Sequence, residues 1–146
     1  MKRLPLKLPI KLLEGVEPHW DVNPANFHLV HDGQDRFDYD IDDVLILSIG
    51  PAEVVALNCN PMFKGSGEVS KFRQIAKHWR EGQALTPPMI VIWEGRLTVP
   101  GGNHRLNLAH QVKAARIPVI ARKVDLPEIE KQLGRAVEFW TDHPLS

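Results

Sequence analysis

Five consecutive residues, Gly101-Gly102-Asn103-His104-Arg105, combine the types that can hold an anion. A pair of glycines lacks Cβ atoms, so the backbone can turn with positive φ and approach a ligand closely. The preceding Leu97-Thr98-Val99 reads as a strand and the following Leu106 to Ala109 as a helix, which puts Asn103, His104 and Arg105 in a first helical turn. In a first turn, N–H groups lack intrahelical acceptors and the positive end of the macrodipole favours negative charge. Arg105 adds a fixed fork of donors suited to phosphate. Together these residues describe a phosphate pocket. The same spacing also fits a glycine-capped turn whose arginine pairs with a surface carboxylate, and the motif alone leaves both readings open.

Other reactive side chains are less organised. Asp38, Asp40 and Asp42 invite a calcium reading, but the sixth position of such a loop, where glycine is needed, is Asp43. Period-two spacing makes them the solvated face of a strand. His28 and His31 would point to opposite faces of a strand and form a poor metal pair. Cys59 has no base beside it and reads as a packing thiol. Lys64-Gly65-Ser66-Gly67 is glycine-rich ahead of a helix, yet lacks the spacing and the terminal Lys-Ser/Thr of a P-loop. Lys71, Gln74 and His78 fall on one line of that helix, which is either a solvated stripe or one wall of the pocket.

The elements that must position these groups belong to a chain of 146 residues, 43% hydrophobic and 25% charged, a composition and size that suit one globular domain. Eighteen basic residues balance eighteen acidic ones, so no global field supports DNA binding, which would need a local basic patch. The single cysteine excludes an internal disulfide and a zinc framework, in keeping with a cytoplasmic location. The basic, then apolar, Met1 to Ile10 is interrupted by Pro5, Lys7 and Pro9 and reads as an extended N-terminal arm, not a signal peptide. No apolar run is long enough to span a bilayer.

Along the chain, Glu14 to Asn26 reads as irregular and Phe27 to Ile41 as a hairpin around Asp32-Gly33. Val44 to Ile49 and Val54 to Leu57 read as two strands separated by a Gly50-Pro51 turn. Val69, Phe72, Ile75, Ala76 and Trp79 recur at helical spacing up to Gly82. Pro88 to Trp93 and Arg96 to Val99 form a hairpin about Glu94-Gly95, and a helix from the glycine turn ends near Ala115. Pro118 to Val124 is a further strand. Asp125 and Glu128 suggest a capping box for a last helix running through Trp140. The pattern predicts a mixed α/β domain with a small mixed sheet, in which residues 1–49 form a β-rich extension to a domain spanning 50–146.

The segment from Lys71 to Leu126, through Pro87-Pro88-Met89-Ile90-Val91-Ile92-Trp93, Gly101-Gly102-Asn103-His104-Arg105 and Ile117-Pro118-Val119-Ile120, resembles the ParB/sulfiredoxin superfamily, with the spacing of sulfiredoxin. The resemblance covers somewhat over a third of the chain. It implies a nucleotide, ATP/ADP or CTP, with His104 and Arg105 on the phosphates and Lys71, Gln74 and His78 along the facing wall. Lys71 matches the family residue in type, whereas Gln74 and His78 replace hydroxyl residues. Asn103 stands where sulfiredoxin has its catalytic cysteine, so reduction of a cysteine sulfinic acid by that route is not expected. Partition proteins of the superfamily carry a helix-turn-helix domain beyond this region, for which the chain ends too soon. The superfamily's serine kinases share a similar turn and keep phosphoryl transfer open.

Two functions follow as expectations. The first is a nucleotide-binding domain, either an enzyme of phosphoryl transfer or nucleotide hydrolysis or a nucleotide-gated switch. There Gly101, Gly102, Asn103, His104 and Arg105 would hold phosphate and Lys71 would approach from the facing helix. Mg²⁺ could accompany the phosphates without a carboxylate cage of its own, and Glu68 is a weak general-base candidate. The second is a non-catalytic, DNA-associated or partner-binding module, with a basic patch at Lys113, Arg116, Arg122 and Lys123. Asn103 is expected to cap the helix and to donate to a ligand oxygen, and a cysteine in its place to be alkylated faster than Cys59.

Overall fold

Residues rich in Val, Ile and Leu form one five-stranded mixed sheet in the computed structural model, which describes residues 8–24, 43–59 and 69–141. Strands β1 (Val44–Ile49), β2 (Met89–Trp93), β3 (Arg96–Gly101), β4 (Ile117–Arg122) and β5 (Glu138–Phe139) lie in the order β3-β2-β4-β1-β5. β2 and β4 are parallel, and the remaining neighbours are antiparallel. Among the described residues five α-helices accompany them, α1 (Ile10–Leu13), α2 (Pro51–Leu57), α3 (Val69–Arg80), α4 (Asn103–Gln111) and α5 (Leu126–Leu133), with a 3-10 turn at Lys123–Asp125 before α5. The architecture is mixed α/β, as the order of elements predicts.

Alternation along the strands sorts the apolar side chains into two layers. Leu47, Ile90, Val99 and Val119 face a large cluster that every helix helps to complete, through Leu12, Val54, Phe72, Leu106 and Ile129. One position along, Met89, Val91 and Ile120 form a second cluster with Val44 and Ile46. Strands buried on both faces have no reason to alternate apolar with polar residues, which accounts for the continuous run from Met89 to Val91.

β1 pairs with β4 over six positions from Val44↔Arg122 to Ile49↔Ile117, so residues 44–49 are interior sheet and not an appendage. Between β2 and β3, Glu94 (φ 49) and Gly95 (φ 76) both take positive φ, the requirement of a tight two-residue hairpin turn.

Several elements differ from the sequence reading, among them the strand expected to run to Val124, which ends at Arg122 before a 3-10 turn. Val54 to Leu57, expected as a strand, is the C-terminal part of α2. Pro51 occupies a first-turn position, where its missing N–H costs nothing, and the Glu53 carboxylate accepts the Gly50 N–H at 3.3 Å. These local signals outweigh the strand preference of Val54 and Val55. The last helix stops at Leu133 because Gly134 takes φ 73, and Trp140 lies past β5, donating its N–H to Ile46 O at 2.9 Å. Asp125 makes no side-chain cap. Its carboxylate instead accepts two hydrogen bonds from Arg122 and the Ile92 N–H at 3.2 Å.

Ile10 begins a helical turn and is not part of an extended arm, while Leu8 and Leu12 are buried in the large cluster. Arg80, at the end of α3, donates to the carbonyls of Lys11, Leu12 and Glu14. Next to it, Trp79 Nε1 donates to His19 O at 3.0 Å, and its ring meets Trp20 edge-on at 5.2 Å. Residues 1–7, the hairpin expected over Phe27–Ile41 with its His and Asp residues, Lys64-Gly65-Ser66-Gly67 and Glu68 lie outside the described residues.

Candidate phosphate site between two helices

The segment Thr86-Pro87-Pro88, ahead of β2, braces the site from outside its lining, through Thr86 on Arg105 and Pro88 against Gly102. A following proline restricts a residue to extended backbone, so Thr86 and Pro87 are both held straight. Pro88 O accepts the Ile120 N–H at 2.9 Å, which ties the segment to β4. β3 returns across it, with Gly101 opposite Met89, and the chain then turns through Gly102 in the left-handed conformation, φ 85. That turn sends α4 off with His104 and Arg105 toward α3.

Lys71, Gln74 and Ile75 of α3 and Gly102, His104 and Arg105 of α4 line a cleft of about 220 Å³. Lys71 and Gln74 are exposed, as the outer side of an amphipathic helix whose Phe72, Ala76 and Trp79 face the core. His104 is only 7% exposed, and its ring packs against Phe72 with centroids 4.9 Å apart and planes inclined by 57°. Arg105 is half-buried; its Nη1 donates to Thr86 Oγ1 at 2.8 Å and to Thr86 O at 3.3 Å. Every ionisable side chain among the described lining residues is a base, and the cleft adjoins the positive end of α4. Such an arrangement is chemically suited to an oxyanion.

Of the residues singled out from the sequence, Lys71, Gln74, Gly102, His104 and Arg105 share this cleft, whereas Gly101, Asn103 and His78 are not among its lining. Gly101 is the last residue of β3. His78 lies on the same line as Lys71 but seven residues on, a rise of about 10 Å along the helix, past the end of so small a cleft.

Asn103 is the clearest correction. Its side chain is fully buried: Nδ2 donates to Val99 O at 2.9 Å and Oδ1 accepts from Asn58 Nδ2 at 3.0 Å. Asn58 Oδ1 in turn accepts the Val99 N–H at 3.0 Å, and Asn107 Nδ2 donates to Asn103 O at 2.8 Å. The amide ties the edge of β3 to the helix start, and neither caps α4, whose N-cap is Gly102, nor faces the cleft. A thiol at 103 would be enclosed there, contrary to the expectation of fast alkylation.

Sequence reasoning also misses Thr86 and Asn58. Both act across long separations, 19 residues to Arg105 and 45 to Asn103, which no local pattern encodes. The four basic residues considered as a patch are divided between the two ends of β4, about 17 Å apart. Arg116 donates to Ser48 O, and Arg122 pairs with Asp125 at 2.8 Å. Among the described residues no group of His, Cys, Asp and Glu could hold a metal ion, and no helix is long and apolar enough to cross a membrane.

Outside the cleft lining, Glu53 pairs with Arg135 at 2.7 Å, joining α2 to the segment after α5. The hydrogen bond from Arg135 holds the Glu53 carboxyl below its usual 4.5, reinforced by the guanidinium charge and the Gly50 N–H and opposed by partial burial.

Comparison with known proteins finds no matching family model, no matching curated protein and no matching solved structure.

Proposed function

We propose that the cleft between α3 and α4 binds the phosphates of a nucleotide, in a domain of the ParB/sulfiredoxin kind. The observation that carries this reading is the convergence of Lys71, His104 and Arg105, from two separate helices, on one small cleft beside a helix N-terminus, with no carboxylate among the described lining residues. Sites that enclose a whole small molecule occupy about 300–1,000 Å³. The volume of about 220 Å³ therefore suits phosphate groups, with the sugar and base extending outside.

In this reading Arg105 supplies directional donors, Lys71 a mobile charge from the opposite wall, and His104 a largely buried ring at the edge of the cleft. A Mg²⁺ ion would arrive on the phosphates themselves. With Asn103 in place of a thiol, the chain has no sulfur nucleophile at the turn, so phosphoryl transfer, nucleotide hydrolysis or a nucleotide-gated switch fits better than sulfinic-acid reduction. We infer a cytoplasmic setting, consistent with a lone unpaired-type thiol at Cys59 and a soluble ligand.

The direct test is a thermal-shift panel of ATP, ADP, CTP and GTP with and without magnesium. A ligand present at 100 times its Kd adds about 2.7 kcal/mol of apparent stability, which raises Tm by about 5–10 °C for a domain of this size. No shift with any nucleotide at millimolar concentration would overturn the proposal.

A further inference from the structure

We propose that Thr86, a buried residue outside the cleft, is a positioning residue that sets the orientation of Arg105 and with it the affinity of the cleft for phosphate oxyanions. The inference rests on the phosphate reading above. Thr86 is 4% exposed, and two of its oxygens converge on a single guanidinium nitrogen: Oγ1 at 2.8 Å and the carbonyl at 3.3 Å from Arg105 Nη1. An arginine side chain has several rotatable bonds, so a base at the mouth of a cleft would otherwise sample many orientations. Two acceptors on one nitrogen restrict the plane as well as the position of the group.

The residue that does this is itself fixed on both sides. Before it, Leu85 exchanges hydrogen bonds with residues 19 and 21, its N–H to His19 O at 2.9 Å and its carbonyl from the Asp21 N–H at 2.8 Å. After it come two prolines, the second bonded through its carbonyl to Ile120 of β4 and packed under Gly102. A continuous set of constraints thus runs from β4 through Pro88 and Thr86 to Arg105. Phosphate recognition depends on directed N–H donors, whereas general attraction of anions needs only the charge. Removing the Thr86 hydroxyl should therefore weaken phosphate binding while the arginine and its charge remain.

The test uses pyrophosphate as the probe, titrated calorimetrically at fixed ionic strength into the full chain, its Arg105→Ala variant, Thr86→Val and Thr86→Ser. Melts of each protein confirm that it is folded, and Thr86→Ala replaces Thr86→Val if the valine is poorly accommodated. Thr86→Val is expected to bind about tenfold more weakly, the value of one hydrogen bond to a charged group. Thr86→Ser, which keeps the hydroxyl, should bind within about twofold of the unmodified chain, a rescue that a merely structural role would not produce. Thr86→Val binding as tightly as the unmodified chain, while Arg105→Ala loses binding, would overturn the role of Thr86 and leave the phosphate site standing. Failure of the unmodified chain to bind pyrophosphate would remove both.

Discussion

Gly102 and Pro88 occupy adjoining space so closely that a Cβ on Gly102 would stand 2.5 Å from Pro88 Cα and 2.9 Å from Pro88 Cβ. The glycine is also held at φ 85, where side chains are rarely tolerated. Gly102→Ala therefore meets two penalties, about 1–2 kcal/mol for the left-handed backbone and about 1–3 kcal/mol for the overlap. The expected loss is about 2–5 kcal/mol, read as a lower urea midpoint at unchanged slope. A midpoint equal to that of the unmodified chain would show that Pro88 moves aside freely.

Arg105→Ala should abolish the stabilisation conferred by nucleotide while leaving an intact fold, because its described bonds go to Thr86 and the side chain adds nothing to the apolar clusters. Arg105→Lys should restore part of the effect, since a point charge cannot reproduce two directed donors. Lys71→Ala, on an exposed position of α3, should weaken binding without altering the melting temperature of the unliganded protein. Full nucleotide stabilisation of Arg105→Ala would place the ligand elsewhere.

For Asn103 the expected signature is loss of stability. Asn103→Ala removes the hydrogen bonds to Asn58 Nδ2 and Val99 O, at about 0.5–1.5 kcal/mol for each bond lost. Asn103→Cys should be destabilised similarly, and under native conditions its thiol should react with maleimide more slowly than the half-buried Cys59. Rapid labelling at 103 would mean that the turn opens readily and that the amide network is weak.

The Glu53–Arg135 pair makes stability depend on pH in a defined direction. Because the folded-state pKa lies below the usual 4.5, the contribution is present above that value and is lost as pH falls from 4.5 through the folded-state value. Arg135 keeps its charge throughout. With side-chain exposures of 32% and 38%, screening limits the pair to about 1 kcal/mol or less. Glu53→Gln should thus be slightly less stable than the unmodified chain at pH 7, and the two urea midpoints should converge toward pH 3. A constant difference between them across that range would assign the loss to something other than ionisation.

Much of this architecture is legible in the sequence wherever the deciding forces are local. The 3.6-residue recurrence of Phe72, Ala76 and Trp79 identifies α3, and Glu94-Gly95 and Gly102 mark turns that need positive φ. Local signals also exist for α2 and for the end of α5, in Pro51, Glu53 and Gly134, but there they compete with β-branched residues and with an apolar spacing that continues past Gly134. What is not legible is direction and distance. Asn103 sits at the helix start as its position implies, yet it turns inward because Asn58, far away in the chain, offers a donor and the Val99 carbonyl an acceptor. Thr86 becomes visible only once the hairpin has folded back and brought α4 over it.

α3 has Lys71 and Gln74 on one side of its first turns, and on its last turn Trp79 and Arg80, which hold His19 and the three carbonyls of the α1 region. The same rigid rod therefore forms a wall of the cleft and the clamp on the N-terminal segment. Segments joined in this way open together as one cooperative unit. Occupancy of the cleft should then slow amide hydrogen exchange not only along α3 but also at residues 12–16, which are not among its lining residues. The N-terminal segment would in that way register a ligand it never touches.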